Sequence, residues 1–414
     1  MILIQNARVI DPANSFDEIS DVLIEDKKIS RIEKQIDARD LENVQRIDAS
    51  GKILAPGLVD MHAHLREPGQ ESKENFIDGA KSAALGGFTT VATMPNTNPV
   101  VDNAALVRSM KARAAEAIIK IEIIGAMTKN QKGEQLAEML DMIDAGAVAF
   151  SDDGHFVDNA RIFLNALDYL APTGKLAICH EEETSLVEGG SMNEGHRSAV
   201  FGVKGRPTVA EDIAVARDCL LAEYSGGRVH IAHISSARSV EIVRDAKSRG
   251  VHVTAEATPH HLTMTEDLVT LSDTMTKVNP PLRTLKDVNA VVAGLKDGTI
   301  DCIVTDHSPH AFEEKDREYN RAPSGFPGLT RALALLIRKL VREGKISMPQ
   351  LISKMTFEPA KIFGLLDKGI GTLSIGTPAD LVLIAPNFNP ITETPVDLTM
   401  CDGKILVCDG KLVD

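Results

Sequence analysis

From about residue 53 to 306 the chain repeats one pattern: a short apolar run rich in β-branched residues, a polar loop, then a stretch whose apolar positions recur at helical spacing. Eight runs read as strands: Leu58 to Leu65, Thr89 to Met94, Ile121 to Ala126, Ala147 to Asp152, Lys175 to His180, Val229 to Ile234, Val251 to Ala257 and Asp301 to Thr305. Between and after them the spacing predicts helices over Glu74 to Leu85, Ala104 to Ala117, Gln135 to Asp144, Ala160 to Leu170, Val209 to Tyr224, Ser239 to Ser248, Leu285 to Leu295 and Thr330 to Val341. Gly86, Gly146, Gly226 and Gly250 follow the last periodic residues of four of these, where helices commonly stop. Eight such units point to an α/β fold, a closed (β/α)8 TIM-type barrel.

The flanks read differently. Met1 to Ile36 and Thr372 to Val413 alternate short strands with polar turns, and neither has enough strands for a stable sheet alone. The expectation is a small β-sandwich domain built from both chain ends, with 1–52 and 366–414 forming it and 53–365 forming the barrel. No internal repeat beyond the β/α period and no low-complexity segment stand out.

The chain has 414 residues and is 43% hydrophobic, enough for a large core, with no apolar stretch of membrane-spanning length. Met1 to Arg8 has no basic stretch leading into a long apolar segment, so a soluble, cytoplasmic protein is expected. A net charge of −14 argues against a nucleic-acid footprint. Cys179, Cys219, Cys302, Cys401 and Cys408 are odd in number and hold no C-x-x-C pair, which suggests neither a disulfide framework nor a thiolate metal cluster.

The chemistry begins at Asp60-Met61-His62-Ala63-His64-Leu65-Arg66-Glu67-Pro68-Gly69. Side chains alternate along a strand, so His62 and His64 should share a face and grip one ion, with Met61 and Ala63 turned away and Arg66 poised for an anionic substrate. In a β/α barrel, functional residues gather at the C-terminal ends of the strands. Those ends carry His62 and His64, Asn96, Asp152 and Asp153, His180, His233 and Asp306, with Asn279 in the loop after the seventh strand. Donors of nitrogen and oxygen without thiolates suit zinc or a similar ion used for hydrolysis. One catalytic ion needs about three protein ligands, so the four histidines and two acidic positions, Asp306 and one of Asp152 and Asp153, favour two ions sharing a carboxylate, with a bridging hydroxide as nucleophile and an acidic residue as proton shuttle. Asp306 suits that shuttle.

These residues resemble the amidohydrolase superfamily and, within it, the longer-chain bacterial dihydroorotases. The resemblance spans nearly the whole chain. It rests on His62 to Gly69, Met94-Pro95-Asn96-Thr97, Ser151-Asp152-Asp153-Gly154, Val278 to Arg283 and Thr305-Asp306-His307-Ser308-Pro309-His310. It implies two Zn2+, one on His62, His64 and Asp306, the other on His180 and His233, with Asp153 between them and Asp306 as acid/base. Asp152 stays open as the alternative bridge. Many relatives use a carboxylated lysine as the bridge, but Ala147 to Asp153 contains no lysine, which weighs against hydantoinase and allantoinase.

The implied reaction is reversible cyclisation of N-carbamoyl-L-aspartate to dihydroorotate in pyrimidine biosynthesis. Arg66, Asn96 and His310 would take the substrate carboxylate, and Asn279, Ser324 and Gly325 the ring amide, beside the ligand His64. Aspartate transcarbamoylase and a second copy of the chain are the partners to consider. A catalytically inert scaffold for that transcarbamoylase is a further reading, opposed by the intact donor set. His260 and His261 read as structural, as do His196, His230 and His252, and His155 is left open. The charged stretch Phe312 to Arg321 reads as a solvated loop or a lid over the site.

Overall fold

The computed structural model describes residues 1–37, 39, 41, 43–389 and 393–413. Eight parallel strands form the barrel: Leu58–Ala63, Phe88–Thr93, Lys120–Gly125, Ala147–Ser151, Ala177–Cys179, Val229–Ile231, Val253–Ala257 and Cys302–Ile303, hydrogen-bonded in that order. The ends of this sheet meet where Ala63 bridges His307 and the His64 N–H donates to the His307 carbonyl at 2.7 Å. Buried Asp60 reinforces the seam, accepting from the Thr305 N–H at 3.1 Å and from the Thr305 hydroxyl at 2.5 Å.

Both faces of these strands are apolar because both are covered. The outer face packs on the helices through Phe88, Val91, Ile123, Phe150, Ile231 and their neighbours. The inner face carries Val59, Met94, Ile124, Ile178 and Val304, closed below by Ile362 and Phe363 at the end of helix Phe357–Ile362. Eight helical stretches lie where the periodicity puts them, with shifted bounds: Phe76–Leu85, Ala104–Ala114, Met139–Asp144, Ala160–Leu170, Thr208–Ser225, Ala237–Ser248, Leu285–Asp297 and Ala332–Leu336 continuing into a π-turn at Ile337–Val341.

The two chain ends pair with each other in one mixed sheet of nine strands. Ile53–Pro56 is the joint: it runs parallel to Ile2–Asp11 and antiparallel to Leu381–Ile384. The apolar run that starts at Ile53 is therefore divided between two sheets. The break falls at Gly57, where a β-carbon would sit 2.1 Å from the Thr89 hydroxyl, so only glycine lets the chain pass so close.

Strict alternation fails at the end of the first strand. Its pairing with the second slips between Asp60 and Ala63, and Met61 turns into the barrel interior, its sulfur 3.8 Å from Cys302 Sγ, instead of facing away. Between the fifth and sixth strands, Met192–Asn193 pairs with Gly205–Arg206 around helix His196–Phe201, and Met192 and Val203 pack with Val269, Val278, Leu282 and Tyr319. Among the described residues, no helix is long and apolar enough to cross a membrane.

Candidate metal centre and active site

Each expected donor sits at or just past a strand end, because the strands are shorter than their apolar runs and the polar residues spill onto the rim. Arg66, His233 and Asp306 have φ of 62°, 31° and 47°, a left-handed conformation uncommon outside glycine. Strained backbone at His233 and Asp306 accompanies side chains turned toward one centre, and at Arg66 a guanidinium turned toward Ser308 and Pro309 beside it.

Asp153 occupies that centre. Its Oδ2 lies 3.5 Å from His62 Nε2 and 3.4 Å from His64 Nε2. Its Oδ1 lies 3.6 Å from His180 Nδ1 and 3.5 Å from His233 Nε2. Asp306 Oδ1 joins the first pair, 3.2 Å from His64 Nε2 and 3.6 Å from His62 Nε2. All six residues converge. Asp152 does not: its carboxylate faces away, accepting from the N–H groups of Met127 and Thr128 at 2.9 and 3.1 Å and from the Thr128 hydroxyl.

The donor set fits two cations. Ligand atoms of His62, His64 and Asp153 lie within 4.8 Å of one another, as do those of Asp153, His180 and His233. His62 Nε2, on the side of one histidine pair, and Asp153 Oδ1, on the side of the other, are buried and lack a hydrogen-bond partner, an expensive arrangement for polar atoms. His180 Nδ1 and His233 Nε2 approach to 3.0 Å, two imidazole nitrogens facing each other as they would across a shared cation. No thiolate joins either group, which suits zinc-class chemistry with histidine and carboxylate donors.

Electrostatics follow from this crowding. Burial alone would raise the Asp153 pKa, but the charge of His62 and the close approach of His180 and His233 hold it well below the carboxylate range. Asp306 is likewise lowered against its burial, mainly by its bond with His64. Burial would depress His180, yet Asp153 and Glu182 lift it to about 10.

A second layer, not singled out in the sequence, holds these groups. Glu256 Oε1 is 2.6 Å from His62 Nδ1, and its Oε2 is 3.0 Å from His230 Nε2, whose Nδ1 meets the Thr254 hydroxyl at 2.7 Å. Against full burial, His62 and His230 pull Glu256 down to about 2, so it is an anion. The available signal was an acidic residue inside an otherwise apolar buried strand. Glu182 and Arg206 form a similar pair behind His180: Arg206 bonds Glu182 at 2.5 Å and donates to Asn279 Oδ1 at 2.9 Å, while Asn279 Nδ2 lies 3.1 Å from His180 Nε2.

Substrate-facing candidates divide. Arg66 is buried beside Asp306's strand end, its Nε donating to the Pro309 carbonyl at 3.0 Å and its Nη2 to the Ser308 hydroxyl at 2.6 Å, with His310 Nε2 3.4 Å away. Asn96 is tied to the metal group through Oδ1, 2.9 Å from His64 Nδ1. The backbone at 324 and 325 is already engaged: His310 Nε2 donates to the Ser324 carbonyl at 2.8 Å, and the Gly325 N–H to the Lys277 carbonyl at 2.9 Å. Gly325 has φ +110° and a β-carbon there would meet Ser308 Oγ at 2.6 Å, so glycine is required.

His260 and His261 are buried outside this constellation, His261 between the Thr258 hydroxyl and the Pro280 carbonyl. The stretch Phe312 to Arg321 is more anchored than a solvated loop: Lys315 is buried and donates to the carbonyls of Pro323 and Gly325 at 2.9 Å each, and Tyr319 is buried.

Comparison with known proteins agrees with the geometry. Residues 51–239 match the family model described as Dihydro-orotase-like, and residues 207–406 match the Amidohydrolase family model. The dihydroorotase of Pelotomaculum thermopropionicum is 49% identical over 396 residues, covering 96% of this chain and 90% of that protein. That of Citrifermentans bemidjiense is 49% identical over 404 residues, covering 97% and 93%. Among solved structures, an L-hydantoinase from Arthrobacter aurescens superposes with a TM-score of 0.86 at 25% identity, covering 100% of this chain and 97% of that one. A dihydropyrimidinase from Brevibacillus agri gives 0.83 at 23%, covering 99% and 96%, and shows the fold alone. With nearly half of its residues shared along almost its full length with dihydroorotases, the chain belongs to the dihydroorotase family of amidohydrolases.

Proposed function

We propose that this chain is a zinc dihydroorotase of the cytoplasm that closes N-carbamoyl-L-aspartate to dihydroorotate and water, and reopens it, in pyrimidine biosynthesis. The observation that carries the reading is the Asp153 carboxylate standing between two histidine pairs, 3.4 to 3.6 Å from each nitrogen, with Asp306 beside one pair. His62, His64 and Asp306 would hold one Zn2+, His180 and His233 the other, and Asp153 would join them. Bound there, the two cations would supply Lewis acidity to the reacting carbonyl and make water acidic near neutral pH.

The chain's own groups supply the rest. Arg66 presents a guanidinium fixed by Pro309 and Ser308, so a substrate carboxylate meets an oriented fork instead of a flexible cation. His310 lines the same clamp and Asn96 has its amide nitrogen to offer while Oδ1 holds His64. Asn279, Ser324 and Gly325 would border the ring amide from the loops after the seventh and eighth strands. In ring closure the Asp306 carboxylate takes the proton from the attacking amide nitrogen and passes it to the departing oxygen, and in hydrolysis it takes a proton from the attacking water and passes it to the ring nitrogen. A homodimer and an aspartate transcarbamoylase partner remain part of the proposal.

The test is loss of dihydroorotate ring absorbance with the purified protein, alone and with a transcarbamoylase, together with metal analysis of wild type and Asp306→Ala. Metal-dependent turnover should fall by about 10²- to 10⁴-fold in the variant, the range for removing a general acid–base. Ring opening independent of metal, or none in wild type under either condition, overturns the reading.

A further inference from the structure

Outside the catalytic rim the structure holds a cavity of about 740 Å3, a size that encloses a small molecule. None of the six clustered donors lines it. Its floor is apolar and soft, with Met264, Met275, Phe326 and Leu335. Its wall is the outer helix that follows the eighth strand, from which Arg331 and Arg338 both face the cavity, seven residues and so about two turns apart. Neither guanidinium has an ion-pair or hydrogen-bond partner among the described residues, whereas the carboxylate that shares the cavity, Glu393, already accepts from the Asn389 N–H at 2.7 Å.

Two unpaired, forked cations spaced roughly 10 Å along a helix, above a surface of thioethers and a phenyl ring, match a ligand with phosphate at one end and a flat ring at the other. We propose that this cavity is a second ligand site that takes a nucleoside phosphate, the phosphate on Arg331 and Arg338 and the base on Phe326, Met264 and Met275. The site stands independently of which cyclic amide the metal centre processes. It is physically joined to that centre, however. Phe326 and Gly328 belong to the segment that continues from Ser324 and Gly325, the Phe326 carbonyl accepts from the Ser308 N–H at 3.0 Å, and the Gly328 N–H donates to His307 Nδ1 at 3.1 Å. Occupation should therefore be felt at the clamp formed by Arg66 and Ser308.

The experiment is calorimetric titration of the metal-loaded, full-length protein with UMP, AMP and pyrophosphate, each with and without saturating dihydroorotate. Saturable binding of a nucleotide with Kd below about 1 mM, retained when dihydroorotate is present and weakened at least tenfold in R331A/R338A, supports the site. The double variant should keep wild-type ring-opening kinetics without nucleotide. Met275→Trp, which fills the floor and leaves both charges, should abolish binding as well and guards against misfolding of the double variant. Absence of saturable binding, binding unchanged in both variants, or displacement by dihydroorotate overturns the proposal. Pyrophosphate binding as tightly as the nucleotides would overturn the role of the apolar floor and leave an anion site only.

Discussion

Glu256→Gln isolates the contribution of one buried charge to the metal centre. Glu256 is fully buried and bridges two imidazoles, at 2.6 Å to His62 and 3.0 Å to His230. As an anion it fixes the proton of His62 on Nδ1 and leaves Nε2 free to face Asp153, 3.5 Å away. Glutamine has nearly the same volume, so packing is kept, but a neutral acceptor replaces a charged one. Hydrogen bonds to charged groups are worth about 1.5–3 kcal/mol net and neutral ones about 0.5–1.5. The difference of about 1–2 kcal/mol corresponds to roughly a tenfold weaker hold on metal, in line with effects of outer-shell carboxylates. Competition against a chromogenic chelator measures this directly, with the urea midpoint of the metal-free protein as a control for folding. If Glu256→Gln folds normally and binds metal as tightly as wild type, the carboxylate merely fills space and the reasoning fails.

Other consequences are simpler. Arg66→Lys removes the fork fixed by Ser308 and Pro309, and KM for dihydroorotate should rise about tenfold or more with little change in metal content, read by steady-state kinetics and metal analysis. Arg283 is buried, donating to Asn193 Oδ1 and the Arg206 carbonyl at 2.9 Å each and lying 3.5 Å from Glu211, so Arg283→Ala should cost about 3–5 kcal/mol in urea unfolding by stranding that carboxylate. Burial, with Arg66 nearby, lowers His310 to about 4. Between its unfolded value near 6.5 and about 4 the unfolded chain binds the extra proton, so this group's contribution is complete above 6.5 and is lost as pH falls. His310→Asn should flatten stability against pH in that window by up to about 1.4 kcal/mol per unit, and an unchanged slope would refute the assignment.

What could be read from the chain was set by local periodicity. The β/α alternation, the positions of eight strands and the polar residues that follow most of the apolar runs depend only on which residues neighbour one another, and they led to His62, His64, His180, His233 and Asp306. Pairing of the two ends was also legible, since neither could form a sheet alone.

Tertiary structure decided what depends on groups distant in sequence. Asp152 and Asp153 are equivalent in the chain; only the amides of Met127 and Thr128, which claim the first, leave the second to face both histidine pairs. Met61 broke the alternation rule because strand pairing slips beneath it, and Ile53 to Pro56 went to the other sheet because Gly57 must pass Thr89. Glu256 acquires its role only when the seventh strand closes across from the first. A residue's type and spacing state what bonds it can make, and burial with a chosen partner states which one it makes.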